Sequence, residues 1–232
     1  MKTIGLIGGM SWKSTIPYYQ IINETVQARL GGLHSAKVVL HSVEFHDIER
    51  LQRQGDWREA GQAMARAGLS LQAAGADFLV LCTNTMHKVA KAIEQAVDLP
   101  LLHIADPTAE AIRALGLERV GLLGTRFTME EAFYLGRLRD RHGLRVIVPP
   151  PAERETAHRI IYDELCQGRV LAPSRDRFRE MLQHLADAGA QGVILGCTEI
   201  SLLVDPSDSP VPLFDTTRLH AVRAAEQALA RP

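Results

Sequence analysis

The sequence predicts an α/β protein made of two similar halves, each with its own parallel sheet. Two observations lead to this prediction: short apolar runs alternate with longer segments of helical periodicity, and the order of these runs repeats along the chain. The apolar runs are continuous and do not alternate with polar residues, which is typical of strands buried on both faces of a parallel sheet. The regular succession of strand and helix predicts helices on both faces of each sheet.

Eight apolar runs are predicted to form the strands. They are rich in Val, Ile and Leu, and Gly, Pro or Asp borders most of them. The predicted strands are Thr3–Ile7, Lys37–Val43, Asp77–Leu81, Leu101–Ile104, Val120–Leu123, Leu144–Val148, Gly192–Leu195 and Val211–Phe214. Helices are predicted between them, among others at Asp56–Ala74, Met129–Arg141, Glu153–Gln167 and Arg175–Ala188.

An internal duplication explains the repeated order. The segment from Ala74 to Asn84 matches the segment from Ala188 to Thr198, so that Thr83 and Cys197 are counterparts. Three further strand regions recur in the same order at a similar spacing. This repetition indicates two lobes related by a pseudo-twofold axis. The alternative is that any two α/β halves share such a rhythm.

The composition is that of a globular protein, and its charge balance gives no excess of basic residues. The 232 residues are 46% hydrophobic, and 26 Lys and Arg balance 27 Asp and Glu. This balance argues against binding to nucleic acid or to an anionic membrane. The chain shows no signal-peptide pattern and no apolar stretch of the about 20 residues that span a membrane. Three cysteines give neither a disulfide framework nor metal-ligand spacing. We therefore expect a soluble, cytoplasmic protein.

Four polar loops that follow predicted strands are the candidate site. They are Gly8–Trp12, Cys82–His87, Gly124–Thr128 and Gly196–Ile200. Ligands of α/β proteins bind beyond the carboxyl ends of the strands. Glycine lets a backbone approach the ligand closely, and helix N-termini offer N–H donors to anions. We expect the active site in a cleft between the two lobes, with Thr83 and Cys197 on opposite walls.

The glycine-containing loop after the first strand does not match a nucleotide-binding motif. A Walker A loop has glycine immediately before its lysine, whereas Trp12 precedes Lys13. A GxGxxG fingerprint is also absent from the sequence. We expect these glycines to shape a pocket for a small anion.

Cys197 is the candidate catalytic cysteine. It follows an apolar strand and precedes Thr198 and Glu199, where a helix is predicted to begin. A thiol near a helix N-terminus has a depressed pKa and can act as a base or nucleophile. Cys82, at the end of a strand, is predicted to be a small buried hydrophobe, and Cys166, late in a helix, to be structural.

His87 and Glu199 flank the two counterpart positions and are candidates for tuning the acid–base groups. For His87 the alternative is a histidine at a helix end that is hydrogen-bonded to the backbone. The histidines that lack metal-ligand spacing are His41, His46, His103 and His220. We therefore expect chemistry without a metal or a cofactor.

Three loops resemble those of the aspartate/glutamate racemase family: Gly8-Gly9-Met10-Ser11, Cys82-Thr83-Asn84-Thr85-Met86-His87 and Gly196-Cys197-Thr198-Glu199. The resemblance covers essentially the whole chain. It implies two α/β lobes with the active site between them, and racemisation of amino acids without pyridoxal phosphate. One acid–base group removes the α-proton from one face of the carbon, and another returns a proton to the opposite face.

The loop Cys82–His87 departs from the family pattern, which typically has Cys-Asn-Thr there. Alignment of Asn84-Thr85 with that pattern puts Thr83, and not Cys82, at the first catalytic position. A threonine hydroxyl is far less acidic than a thiol, whose reference pKa is about 8.5. We therefore hypothesise directional chemistry: Cys197 deprotonates the L-amino acid, and Thr83 helps to reprotonate the other face.

The resemblance also suggests which residues contact the substrate. They are Met10, Ser11, Gln52, Asn84, Thr85, Thr125, Thr198 and Glu199. Gln52 shares its loop with Arg50 and Arg53, for which solvated charges on a helix face are the alternative. Glu164 stands near the place where some relatives hold the distal carboxylate with a lysine, which leaves the recognition of that carboxylate open.

The family commonly returns its last helix to the first lobe, which implies lobes of residues 1–100 plus 214–232 and of residues 101–213. The expected ligand is an amino acid, and a homodimer is an open alternative to a monomer. Other superfamily activities are alternatives, namely a hydantoin racemase, a maleate isomerase or a decarboxylase-type enzyme. Another class of alternative is a non-catalytic protein that binds acidic amino acids.

Overall fold

The fold consists of two compact units, described here for residues 1–230 from a computed structural model. The first unit contains Met1–Ile104 and the C-terminal segment that begins at His220. The second unit contains Ala105–Leu219. Each unit has one parallel four-stranded sheet, so the predicted α/β class is confirmed.

The first sheet has the strand order β2-β1-β3-β4. Its strands are β1 (Ile4–Gly8), β2 (Val38–Ser42), β3 (Phe78–Leu81) and β4 (Leu101–Leu102). The helices between them are α1 (Trp12–Leu30), α2 (Phe45–Gln54), α3 (Trp57–Ala73) and α4 (Ala90–Ala96), and a 3₁₀ helix spans Thr85–Val89. The unit ends with most of α10 (Thr216–Leu229).

Side-chain alternation along β3 builds a core on each face of the first sheet. Leu79 and Leu81 belong to a buried cluster that includes Met64 of α3. Phe78 and Val80 belong to a second cluster, which includes Tyr18 of α1. Because successive residues of a strand point to opposite faces, the continuous apolar run in the sequence is explained.

The second sheet has the equivalent strand order β6-β5-β7-β8. Its strands are β5 (Arg119–Gly124), β6 (Arg145–Ile147), β7 (Val193–Gly196) and β8 (Leu213–Asp215). The helices of this unit are α5 (Ala105–Ala114), α6 (Arg126–Glu130), α7 (Ala132–Gly136), α8 (Pro151–Asp163) and α9 (Ala172–Asp187), with a π-helical turn at Arg137–Arg141. Three 3₁₀ turns lie at Leu165–Gln167, Ile200–Leu202 and Pro206–Asp208.

The duplication extends to the register of the strands. Gly5 pairs with Leu79 in the first sheet, and the matching residues Gly121 and Val193 pair in the second. All eight predicted strands are present, and no strand end differs from its predicted position by more than two residues. Thr83 and Cys197 therefore lie at the same position beyond equivalent strands.

Two predicted helices are interrupted. The helix predicted over Met129–Arg141 breaks at Glu131, whose backbone is extended with φ −100° and ψ 147°. The helix predicted over Glu153–Gln167 ends at Asp163, and the chain continues as a 3₁₀ turn after Glu164. Neither break has a Gly or Pro at the interruption. The helical periodicity of the sequence therefore continues through both breaks and predicts one unbroken helix in each case.

Strand pairing places the unit boundaries a few residues beyond the predicted lobe limits of 100 and 213. β4 pairs with β3, so residues 101–104 belong with the first sheet. β8 pairs with β7, so residues 214 and 215 belong with the second sheet.

Within residues 1–230, no helix combines the length and apolarity needed to cross a bilayer.

A buried carboxylate secures the segment that follows the Cys197 loop. The side chain of Asp208 is fully buried, and Nε of Arg175 and Nε of Arg179 donate to it at 2.8 and 2.5 Å. Burial alone would raise the pKa of Asp208, but the arginine contacts and the Asp205 backbone N–H outweigh it and lower the pKa to about 2. Asp208 thereby ties the Pro206–Asp208 turn to α9.

Asp208→Asn is expected to lower the free energy of unfolding by about 1–3 kcal/mol, because charge-assisted hydrogen bonds are lost. The unfolded pKa of Asp is about 3.9, so this stabilisation is complete above about pH 4 and disappears as the pH falls toward the folded pKa. Urea denaturation at several pH values should therefore show the variant and the wild type converging at low pH. Asp176→Asn, which removes an exposed partner of Arg179, is the control and should cost less than about 0.5 kcal/mol. Equal losses in the two variants would contradict the prediction.

Candidate active site

The loop after β1 is built by close backbone packing. Gly9 has φ +94°, and a Cβ there would lie 2.4 Å from the carbonyl oxygen of Val43, so only glycine fits. The Gly9 N–H donates to Oγ1 of Thr15 at 2.9 Å, and the Thr15 hydroxyl donates to the Ser11 carbonyl at 2.9 Å. Met10 and Ser11, both predicted to contact substrate, are buried in this loop.

The loop after β3 contains the predicted catalytic Thr83. Cys82 continues the alternation of β3 and lies in the core cluster with Tyr18, where burial raises the pKa of its thiol. Its predicted character as a small buried hydrophobe is confirmed. Thr83, Asn84 and Thr85 follow at the carboxyl end of the strand and are buried polar residues.

Both ring nitrogens of His87 contact the backbone. The Ile104 N–H donates to Nε2 at 3.2 Å, so the proton of the neutral ring is on Nδ1, which donates to the Thr83 carbonyl at 2.7 Å. The backbone-bonded alternative considered for His87 is therefore the one found. The sequence pattern gave no signal for the Ile104 contact, because the two residues belong to different elements.

Gln52 adjoins the same loop. It is buried in α2, and its Nε2 donates to Sδ of Met86 at 3.1 Å. Arg50 and Arg53, on the same helix, are exposed and pair with neighbouring carboxylates. Helix α2 therefore directs the Gln52 side chain toward the Cys82–His87 loop. Arg50 and Arg53 are solvated charges on the exposed side of the helix.

The second unit has equivalent loops at the ends of β5 and β7. Gly124 and Gly196 pair in the sheet, and a Cβ on Gly124 would lie 2.8 Å from the Gly196 carbonyl oxygen. The residues that follow these glycines are Thr125 and Cys197, so the close approach brings the two loops together. Thr125 is buried, and its Oγ1 accepts a hydrogen bond from the Thr128 N–H at the start of α6.

Cys197 and Glu199 form a buried thiol–carboxylate pair. The Cys197 thiol donates to Oε2 of Glu199 at 3.1 Å, and the Thr198 hydroxyl donates to the same oxygen at 2.8 Å. Cys197 is 8% exposed and Glu199 is 2% exposed. Burial raises the pKa of the Cys197 thiol well above its ordinary value, and the charge of Glu199 raises it further.

The predicted depression of the Cys197 pKa is therefore wrong. Its basis was a helix N-terminus after the loop, but the residues there form only the short 3₁₀ turn Ile200–Leu202. A single turn supplies little dipole, and the adjacent carboxylate favours the neutral thiol. At neutral pH Cys197 is a thiol that donates to Glu199.

Two other residues considered from the sequence lie in the second unit. Cys166 is in the 3₁₀ turn after α8 and is partly exposed, and it is close enough to add to the raised pKa of Cys197. Glu164 precedes it, and its carboxylate accepts a hydrogen bond from the Ser174 hydroxyl at 2.5 Å. In residues 1–230 no three His, Cys, Asp or Glu side chains are grouped so that they could hold a metal ion.

The fold and these loops define an α/β protein with buried acid–base groups beyond equivalent strands of two duplicated sheets. A family profile described as Asp/Glu/Hydantoin racemase matches residues 7–224, and the chain belongs to this family. It is accordingly an enzyme of the isomerase class, as the resemblance of its loops predicts.

Relatives with known sequences or structures match over almost the whole chain. The broad specificity amino-acid racemase RacX of Bacillus subtilis (strain 168) is 26% identical over 234 residues, which cover 98% of each chain. The crystal structure of a proposed Asp/Glu racemase from Yersinia pestis is 57% identical, with a TM-score of 0.92 and coverage of 99% of this chain and 100% of that chain. An aspartate racemase homologue from Pyrococcus horikoshii OT3 is 32% identical, with a TM-score of 0.84 and the same coverages.

Glu199→Gln is expected to lower the pKa of Cys197, because the substitution removes the neighbouring negative charge. Alkylation by iodoacetamide between pH 7 and 9, followed by intact-mass spectrometry in a Cys166→Ser background, should accelerate roughly 3- to 10-fold, because a larger fraction of the thiol is then ionised. Glu180→Gln, on the exposed side of α9, is the control and should leave the rate unchanged. An unchanged or slower reaction of the Glu199 variant would show that the carboxylate does not hold the thiol proton.

Proposed function

We propose that this chain is a cofactor-independent racemase that interconverts L- and D-aspartate or glutamate, with L-to-D turnover preferred. Cys197 abstracts the α-proton, and Thr83 returns a proton to the opposite face of the carbon. The observation that carries the proposal is the buried hydrogen bond from the Cys197 thiol to the Glu199 carboxylate. Through this bond the Cys197 thiol, which is a weak base, can pass its own proton to the Glu199 carboxylate.

The first step follows from the protonation state of Cys197. A neutral thiol cannot accept the α-proton, so its own proton moves to Oε2 of Glu199, 3.1 Å away, as the sulfur takes the α-proton. The products are a neutral thiol, a neutral Glu199 carboxyl and the substrate carbanion. Because the negative charge passes from Glu199 to the substrate, Glu199 serves as the ultimate base and Cys197 as the atom that contacts the α-hydrogen.

The second step requires a proton donor on the other face of the planar carbanion. Cys82 is packed in the core, which leaves Thr83 as the side chain at the position equivalent to Cys197. The Thr83 hydroxyl donates its proton to the carbon and regains one from water, since a threonine alkoxide is too basic to persist. The hydroxide that remains is neutralised by the proton that Glu199 releases, which restores the Glu199 carboxylate and the Cys197 thiol. Among residues 1–230 no carboxylate bonds to this hydroxyl, so Thr83 has no partner of the kind that serves Cys197.

Stabilisation of the carbanion requires donors at the substrate carboxylate. We propose that buried polar residues of the four loops, together with Gln52 of α2, supply them, and that Met10 also contacts the substrate. The polar residues of the loops are Ser11, Asn84, Thr85, Thr125 and Thr198. Several of these are hydroxyl or amide groups that are already buried, so they lose little solvation when the substrate arrives. Their number supports an anionic ligand such as an amino-acid carboxylate.

The preference for acidic amino acids also rests on similarity. Proteins named as aspartate and glutamate racemases share the fold, and RacX is named as having broad specificity. Aspartate and glutamate are therefore the first substrates to test, with a panel of other amino acids and a 5-substituted hydantoin beside them. Faster racemisation of the hydantoin than of any amino acid would replace the substrate assignment and leave the two-base chemistry.

The direction of turnover is expected to depend on Thr83. Two enantiomers have equal free energies, so kcat/KM is the same in both directions, and the asymmetry lies in a lower kcat and a proportionally lower KM for the D-substrate. Thr83→Cys should raise the kcat for D-to-L turnover because a thiol is the better base. Chiral chromatography of initial rates at saturating L- and D-glutamate measures this. Equal kcat values for the two enantiomers in the wild type would contradict the proposed direction.

Cys197→Ser is expected to abolish nearly all racemisation and all incorporation of deuterium at Cα from D₂O, since a serine hydroxyl is a far weaker acid–base group than a thiol. Cys166→Ser is the matched control and should keep most of both activities. Proton NMR of L-glutamate in D₂O follows the exchange. Tight binding of L-glutamate by the wild type without any exchange would instead indicate a non-catalytic binding protein.

A further inference from the structure

We infer that His87 is a positioning residue that fixes the backbone of Thr83 for proton delivery. This inference rests on the proposed role of Thr83. The inference goes beyond the proposed acid–base pair because it assigns a role to a third residue. Both ring nitrogens of His87 bond to the backbone.

The hydrogen bonds of His87 join two segments that are distant in sequence. Nδ1–H donates to the carbonyl of Thr83, and Nε2 accepts from the N–H of Ile104, at 2.7 and 3.2 Å. The ring is therefore a rigid bridge between the Thr83 loop and the end of the β4 segment. Its burial removes competition from water, which strengthens both bonds.

The β4 segment is itself held by a second histidine. Nε2 of His220 donates to the Leu102 carbonyl at 2.9 Å, and Nδ1 of the same ring bonds to the Tyr18 hydroxyl at 2.9 Å. The His87 ring packs against His103, with the ring centroids 4.3 Å apart. Ile104 is the last residue of the chain in the first unit before it enters the second, and His220 is the first after it returns. The Thr83 carbonyl is thus linked through His87 to the segment after β4, which His220 also holds.

This anchoring matters more for Thr83 than for an ordinary loop residue. A hydroxyl that must donate to carbon in one geometry gains from a fixed backbone, and a misplacement of about 1 Å costs roughly 100-fold in rate. The Thr83 N–H is also bonded within the loop, to the Leu81 carbonyl at 2.8 Å. Loss of the His87 contact would leave this N–H bond and release the carbonyl end of the residue.

Two substitutions separate the two halves of the bridge. In His87→Asn the side-chain amide occupies the place of Nδ1 and can still donate to the Thr83 carbonyl. In His87→Gln the amide reaches the place of Nε2 and can still accept from Ile104, but not hold Thr83. The same pair at His41 of β2 is the matched control, because that ring lies outside this cluster, and thermal melting checks that every variant folds.

The measurement compares two rates for L-glutamate in D₂O. One is the rate at which the D-enantiomer forms, and the other is the rate at which deuterium enters Cα of the remaining L-enantiomer. His87→Gln is expected to reduce racemisation about 10- to 100-fold and to keep exchange in the L-enantiomer within about threefold of the wild type. His87→Asn should restore racemisation to within about fivefold, and the His41 variants should match the wild type. Parallel loss of exchange and racemisation in both His87 variants, or an unchanged ratio of the two in His87→Gln, would overturn the inference.

Thr83→Val distinguishes this failure from failure of the proposed function. If Thr83 returns the proton, the valine variant keeps exchange in the L-enantiomer and loses racemisation, whatever the His87 variants do. Racemisation by Thr83→Val at the wild-type rate would refute the role of Thr83 itself and with it the reason for positioning by His87.

Discussion

The proposed chemistry depends on one observed contact, the hydrogen bond between the Cys197 thiol and the Glu199 carboxylate. Burial of both groups makes the neutral thiol the stable form, and the same burial keeps its proton acceptor adjacent. An isolated buried thiol would be inert, since nothing nearby could take its proton. In the proposed mechanism the carboxylate makes that group one half of a proton-transfer pair, so that no free thiolate is needed.

The two parallel sheets explain where the proposed catalytic residues lie. Equivalent registers in the two units place Thr83 and Cys197 at the same position beyond equivalent strands. Glycines in the loops after the strands allow close backbone approach: Gly9 lies against Val43, and Gly124 lies against Gly196, which precedes Cys197. Duplication therefore supplies two equivalent backbone positions, and substitution at each position determines its chemistry.

The sequence predicted what depends on local pattern. Continuous apolar runs identified all eight strands, because strands buried on both faces need apolar residues at every position. The break at Glu131 escaped prediction, since the residues on either side keep a helical period. The raised pKa of Cys197 and the contact between His87 and Ile104 escaped as well. Both depend on burial and on partners in other elements, which a pattern of residue types does not encode.

The proposed direction of turnover would follow from a chemical difference between the two equivalent positions. Cys197 has a carboxylate beside its thiol. At Thr83 the bonded side chain is that of His87, whose Nδ1–H donates to the Thr83 backbone carbonyl and not to the hydroxyl. The first arrangement suits removal of a proton, and the second holds a donor in place without making it basic. If both positions carried thiol–carboxylate pairs, either enantiomer could be deprotonated equally well. Directionality in this protein would therefore arise from the partners of the two side chains as much as from the side chains themselves.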